Sequence, residues 1–189
     1  MKVAVYADVH CLGPNAVMTP DRLIANIEAD KRSGFVVVCL GDIVDIKNTG
    51  DVVAAEELLT TIMGLVDYFI AGNHELLHVN DKIITINGIP IYCHHGDVAK
   101  YGVNKAVERR AGKPGRGVFV RFLVRLGGLY RRLFPYKLNA KAVAAIEAYT
   151  PNGVNHAWSG HCHPKYLQVA TMDGLAVCVY PQGRTLLEL

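Results

Sequence analysis

The sequence predicts an α/β fold: two packed mixed β-sheets flanked by helices, with a helical insert in its second half. Three observations carry this expectation. Short apolar, β-branched runs alternate with helix signals between residues 3 and 71, the pattern of βα units. Hairpin signals then take over, with Asn87-Gly88 and Asp173-Gly174 each flanked by apolar runs. Between those hairpins lies a long basic stretch of different character, residues 98–150.

Residues 3–7 read as a buried strand. Thr19 can cap a helix whose first position is Pro20. Residues 35–40 form a second buried strand, ending at Gly41-Asp42. Asp51 can cap a helix carrying Val52, Leu58, Leu59, Ile62 and Met63. Residues 66–71 are a third strand, ending at Gly72-Asn73. Residues 82–86 and 89–93 pair across Asn87-Gly88, and 167–172 pair with 175–180 across Asp173-Gly174. A last strand spans 184–189. The 189 residues suit one domain, 1–189, with the insert inside it.

Composition narrows the class. At 51% hydrophobic and 20% charged, the chain is ordinary for a globular protein and unlike a disordered one. No apolar run approaches the roughly 20 residues that span a bilayer. The N-terminus lacks the apolar segment and cleavage site of a signal peptide, so a cytoplasmic location is expected. Five cysteines stand singly (Cys11, Cys39, Cys93, Cys162, Cys178), without the spacing of a disulfide framework or a Cys-based zinc module. Cys39 and Cys178 read as core residues.

Charge divides the chain. Residues 98–150 hold twelve Lys/Arg against Glu108 and Glu147, a net +10, and the remainder carries −7.

Polar clusters recur where the apolar strands end: Asp8-Val9-His10, Gly41-Asp42-Ile43-Val44-Asp45, Gly72-Asn73-His74-Glu75, His94-His95-Gly96-Asp97 and Gly160-His161-Cys162-His163. Open α/β sheets build their sites at strand carboxyl ends. Aspartate, asparagine and imidazole make a mixed oxygen and nitrogen donor set that suits Mn, Fe or Zn. On extended chain, residues two apart point the same way, so Asp8/His10 and His161/His163 can each offer both side chains to one pocket. Two cations roughly 3.5–4 Å apart can clamp the attacking and leaving oxygens of a phosphoryl displacement. An anionic bridge such as Asp42 would let them sit so close. A single strand-end aspartate is often only a cap or turn residue. Five such blocks in series are much more specific.

The blocks D-x-H, G-D-x-x-D, G-N-H-E, H-G and G-H-x-H resemble, in order and context, the calcineurin-like metallophosphoesterase family. The resemblance implies a four-layer sandwich fold. It also implies hydrolysis of a phosphoester or pyrophosphate by attack of a hydroxide bridging two divalent cations, Mn2+ first and Fe, Zn or Ni as alternatives. Asp8, His10 and His163 would hold the first metal; Asn73, His95 and His161 would hold the second; Asp42 would bridge. His74 resembles the family's non-ligand histidine, which contacts the phosphoryl oxygen or protonates the leaving group, and Asp45 would help orient it. The family pattern prefers His95, next to Gly96, over His94. His78 and His156 have no motif support. Cys11 and Cys162 depart from the common pattern and would be at most neighbours of the ligands, with some sensitivity to oxidation. Asp97 and Glu75 stay open between supporting the site and serving the fold.

The insert is the chief excess over the family pattern. It reads as helical, broken at residues 113–117, with Phe122 and Leu126 on one side and Arg121 and Arg125 on another; Arg131 and Arg132 follow in the same style. In position and character it resembles the lid of UDP-2,3-diacylglucosamine pyrophosphatases, although that branch tends to carry arginine where this chain has His74. The likeness implies a lipid-linked or nucleotide-linked substrate, met by Arg121, Arg125, Arg131 and Arg132, with peripheral membrane contact. Three other readings stay open: a nucleic-acid groove and a nuclease activity, a solvated helical pair, and a non-catalytic scaffold of the same fold.

Overall fold

In a computed structural model, the described residues are 1–78, 80–97, 99, 103–111 and 137–189. Among these residues, nine strands form two sheets. The first contains β1 (Lys2–Ala7), β2 (Val36–Leu40), β3 (Tyr68–Ile70) and β9 (Gly183–Glu188), in the order β3-β2-β1-β9. The second contains β4 (Lys82–Ile86), β5 (Ile89–His94), β6 (His156–Ser159), β7 (Gln168–Met172) and β8 (Leu175–Val179), in the order β4-β5-β6-β8-β7. The pairs β1–β2, β2–β3, β5–β6 and β6–β8 are parallel, and the outer partners β9, β4 and β7 are antiparallel. Both sheets are therefore mixed, as expected. The helices among the described residues are α1 (Pro20–Arg32), α2 (Val52–Leu65), α3 (Val103–Arg110) and α4 (Ala140–Glu147).

The two-residue side-chain period of the strands builds the layers. On β1, Ala4 and Tyr6 face α1 and α2 in one core with Leu23, Ile27, Leu58 and Ile62. Val3, Val5 and Ala7 face the other way, into a core shared with Ile84, Ile91, Cys93 and Trp158 of the second sheet. Tyr92, Ala157 and Val177 turn to the far side and pack against Val143 and Ile146 of α4. The order is thus helices, sheet, sheet, helix.

Local signals act as expected at several points. Thr19 accepts from Arg22 N at 3.4 Å ahead of Pro20, and Asp51 accepts from Ala54 N at 3.1 Å. Asn87 and Gly88 both have positive φ (54° and 77°), as do Asp173 and Gly174 (47° and 85°), the backbone that tight hairpin turns require.

The bounds of the third strand need correction. The third strand is shorter than 66–71 because its first two residues serve other partners. Val66 closes α2 by donating to Ile62, and the Asp67 carboxylate accepts from Val37 N and Lys31. The helix capped by Asp51 carries Leu58, Leu59, Ile62 and Met63 as expected, with Met63 on its exposed side and Ala55, Leu58, Leu59 and Ile62 on the buried face. Strand β6 ends directly before the Gly160 cluster, as a strand-end site requires, but its bounds carry no sequence signal, because four residues reading His-Ala-Trp-Ser give too little alternation. In the insert, α3 and α4 are helical, the latter capped by Asn139, whose side chain accepts from Ala142 N. The expected break at 113–117 and Arg121, Arg125, Arg131 and Arg132 lie outside the described residues.

Candidate metal centre

Parallel pairing puts the carboxyl ends of β1, β2 and β3 at one edge of the first sheet, and those of β5 and β6 at one edge of the second. The edges meet: His95, just past β5, donates from Nδ1 to the carbonyl of Leu40, the last residue of β2, at 2.9 Å. Beyond its last strand residue the first sheet continues as loose parallel pairing. Asp8 N donates to Gly41 O at 3.0 Å, His10 N to Asp42 O at 2.8 Å and Cys11 N to Ile43 O at 2.9 Å.

Three groups of side chains converge there. Asp8, His10 and His163 form one; Asp42, His95 and His161 form a second; His10, Asp45 and His74 form a third, with ligand-type atoms in each group within 4.8 Å of one another. His163 Nε2 lies 3.2 Å from Asp8 Oδ1. His95 Nε2 lies 3.2 Å from Asp42 Oδ2 and 3.0 Å from His161 Nδ1. Asp8, His10, Asp42, Asn73 and His95 are buried, and His161 and His163 are partly so.

The pairs Asp8/His10 and His161/His163 do present both members to the centre, but not by extended alternation. All four have positive φ (51°, 54°, 65° and 50°), as does Asp42 (53°), so a left-handed kink at each residue turns its side chain inward. Such φ values cost energy in non-glycine residues and concentrate at functional sites. Gly41 is needed for approach: a Cβ there would lie 2.6 Å from His95 Nδ1.

Electrostatics match a buried, mutually dependent cluster. Burial pushes Asp42 up, but the His95 and His74 imidazoles outweigh it and hold its carboxyl well below the usual range. Burial likewise opposes ionisation of Asp8, and His163 reverses that. His95 is pulled down by burial yet raised overall to about 10, mainly by Asp42. His10, buried beside His74, is lowered to about 4.

His74 differs from the others. Its Nδ1 lies 2.7 Å from Asp45 Oδ1, its Nε2 is 3.8 Å from Asp42 Oδ2, and its side chain is 21% exposed, so solvent reaches it. Burial lowers its pKa, but Asp42 and Asp45 raise it overall. Asp45 is itself held by Asn48, which donates from N to Oδ1 at 2.9 Å and from Nδ2 to both oxygens, at 2.9 and 3.1 Å.

The donor set fits divalent cations. Both Asp8 carboxylate oxygens and Asn73 Oδ1 are buried without a hydrogen bond among the described residues, an arrangement that is costly unless a cation or water satisfies them. His95 donates from Nδ1 to a carbonyl, so Nε2 is the ring nitrogen that faces Asp42, and it would be the ligand atom once a cation takes the place of its proton.

Residues outside the centre sort themselves. His94 is buried and stacked on Tyr92 at 5.2 Å, away from the clusters. His78 is exposed and His156 lies within β6. Cys11 is buried and donates to Met18 O, and burial pushes its thiol up to about 12. Cys162 packs toward the α4 side. It lines a mostly apolar cavity of about 230 Å³ with Gly96, Ala99, Ala142, Ala145 and Ile146. One residue, Asn48, has no place in the sequence reading, and another, Glu75, has one without a settled role. Asn48 carries no motif signal, and Glu75 could not be assigned because its role depends on two loops meeting.

A family model for calcineurin-like phosphoesterase matches residues 1–165, and the chain belongs to that family. No curated protein matches significantly. Among solved structures, vacuolar protein sorting 29 from Cryptosporidium parvum is similar at 14% identity and a TM-score of 0.46, with 94% of this chain and 72% of that chain covered. Vps29 from Entamoeba histolytica, solved with Zn2+, is similar at 17% identity and a TM-score of 0.44, covering 100% and 86%. A predicted phosphoesterase from Streptococcus pneumoniae TIGR4 is similar at 12% identity and 0.43, covering 99% and 83%. No helix among the described residues is long and apolar enough to cross a membrane.

Proposed function

We propose that this chain is a metal-dependent phosphoesterase with two divalent cations. Asp8, His10 and His163 would hold one; Asn73, His95 and His161 would hold the other; Asp42 would serve both. The observation that carries this reading is the buried donor set itself, with Asp8 and Asn73 acceptors left without hydrogen bonds beside converging imidazoles. Mixed carboxylate, amide and imidazole donors suit Mn2+ first, with Fe, Zn or Ni as alternatives. Cations bound there would set positive charge against the phosphoryl oxygens and acidify the attacking water.

The chain's own residues supply the remainder. His74, fixed by Asp45 through Nδ1, keeps Nε2 turned toward the centre and is favoured as imidazolium by Asp42 and Asp45. As the water oxygen attacks phosphorus and the P–O bond to the leaving group breaks, His74 gives its Nε2 proton to the departing oxygen. The substrate is a phosphorylated small molecule, lipid-linked or nucleotide-linked. The apolar cavity beside Gly96 and Cys162 favours a compact apolar group on it. Arg121, Arg125, Arg131 and Arg132 would meet that substrate or a membrane surface.

A hydrolysis screen with Mn2+ tests this reading. It compares a phosphomonoester, a phosphodiester, nucleotide pyrophosphates with and without acyl chains, and single-stranded DNA. Metal-dependent turnover that Asp42→Asn abolishes is the expected result. Two bound cations with no turnover on any substrate would instead favour a non-catalytic scaffold. Binding to anionic vesicles in low salt, lost when the four arginines are neutralised, is expected of a membrane-facing insert.

A further inference from the structure

The Glu75 side chain is buried and accepts from four backbone amides: Asp42 N at 2.9 Å, Ile43 N, Val44 N at 3.1 Å and Gly72 N at 2.7 Å. Three of these are consecutive in the loop after β2, and the fourth lies in the loop after β3. Successive amides aimed at one point form an anion-binding nest, here filled by the protein's own carboxylate. The exchange runs in both directions, because Asp42 Oδ1 accepts from His74 N at 2.8 Å. Each loop thus lends a carboxylate to the other's backbone. The loops also touch: a Cβ at Gly72 would collide with Asp42 Oδ1, so no side chain fits between them.

These two loops carry Asp42 and Asn73, whereas Asp8, His10 and His163 come from other segments. We infer that Glu75 is a positioning residue that holds Asn73 against Asp42, and so governs the second cation site, which takes both residues, more than the first, which takes only Asp42 of the two. This rests on the two-cation reading above. The isosteric substitution Glu75→Gln keeps the volume but turns an NH2 group toward amides that can only donate. The nest then loses part of its anion, and the β2 and β3 loops are free to separate.

The test is Mn2+ titration of metal-free protein by calorimetry, with bound metal counted by elemental analysis, for wild type, Glu75→Gln and Glu75→Asp. Wild type should bind two equivalents. Glu75→Gln should weaken the second by about 10–100-fold, the usual range for residues that orient ligands, and the first by much less, because Asp8, His10 and His163 stay in place. Glu75→Asp, which keeps the charge but is shorter, should fall between them. Two equivalents of unchanged affinity in Glu75→Gln would overturn the inference. So would equal weakening of both, which would mark Glu75 as general structural support. If wild type itself binds fewer than two, the two-cation reading fails first. Should Glu75→Gln not fold, Glu75→Asp supplies the same ratio of the two affinities.

Discussion

His95 Nδ1 donates to the carbonyl oxygen of Leu40 at 2.9 Å, joining the residue after β5 to the last residue of β2. A carbonyl only accepts, so Nδ1 carries a proton and Nε2 is the nitrogen turned toward Asp42 Oδ2, at 3.2 Å. One contact therefore closes the two sheets and prepares a donor atom. His95→Ala should lose one of two bound Mn2+ equivalents and lower phosphoesterase turnover by at least about 100-fold. The fold should survive, because the inter-sheet core is built from Val3, Val5, Ile91 and Trp158. Elemental analysis beside a circular dichroism melt checks this; a variant with full metal content would remove His95 from the ligand set.

His74 and Asp45 make a separable pair. If His74 protonates the departing oxygen, His74→Ala should slow hydrolysis of an alkyl phosphate by about 10²–10⁴-fold. It should slow a nitrophenyl ester much less, since that leaving group needs no proton. Asp45→Asn and Asn48→Ala should follow the same leaving-group trend at smaller amplitude, as both act through the orientation of His74. Equal losses on both esters would assign His74 to binding instead.

How much of this was legible in the sequence differs by residue. The alternating apolar runs and the two turn pairs announce the sheets because period and turn chemistry are local. Asp8, Asp42 and His163 could be picked out because each stands in a polar block at a strand end. The left-handed φ values at those positions could not be read, since they are imposed by the neighbouring loop rather than by residue type. The role of Glu75, though its block stands out, and the presence of Asn48 are unreadable for a related reason: one holds amides 31–33 residues away, the other a carboxylate whose importance depends on His74. Strand β6 exists because β5 and β8 flank it, not through its own pattern.

Away from the centre, Asp30 joins α1 to the first sheet. It accepts from Tyr6 OH at 2.6 Å and from two nitrogens of Arg184 on β9. Asp30 is 1% exposed, but the Arg184 side chain is 32% exposed and can be rehydrated when its partner is lost. Asp30→Ala should therefore destabilise by about 2–3 kcal/mol, below the full cost of an unpaired buried charge. Tyr6→Phe should cost about 1 kcal/mol. Urea midpoints at about pH 7.5, within the usual range of maximal stability, check both. An Asp30→Ala variant as stable as wild type would reduce the network to ornament.

Alkaline pH should weaken the fold in a defined order. Burial raises the thiols of Cys11 to about 12 and Cys178 to about 11, and those of Cys39 and Cys93 higher still. Burial also raises the phenols of Tyr6, Tyr92 and Tyr180, helped at Tyr6 by Asp30 and at Tyr92 by Asp81. The unfolded chain releases these protons near about pH 8.5 for cysteine and about 10 for tyrosine, while the folded chain keeps them. The folded state then binds more protons, so stability falls as pH rises, by up to about 1.4 kcal/mol per pH unit for each group in play. Urea midpoints should hold steady up to about pH 8, decline from about 8.5 and steepen above about 10. Replacing Cys39 and Cys93 with valine should flatten the first part of the decline and leave the tyrosine part unchanged. A midpoint that stays level through about pH 9.5, a full unit above the free thiol value, would mean these thiols ionise as readily in the folded protein as in the unfolded one.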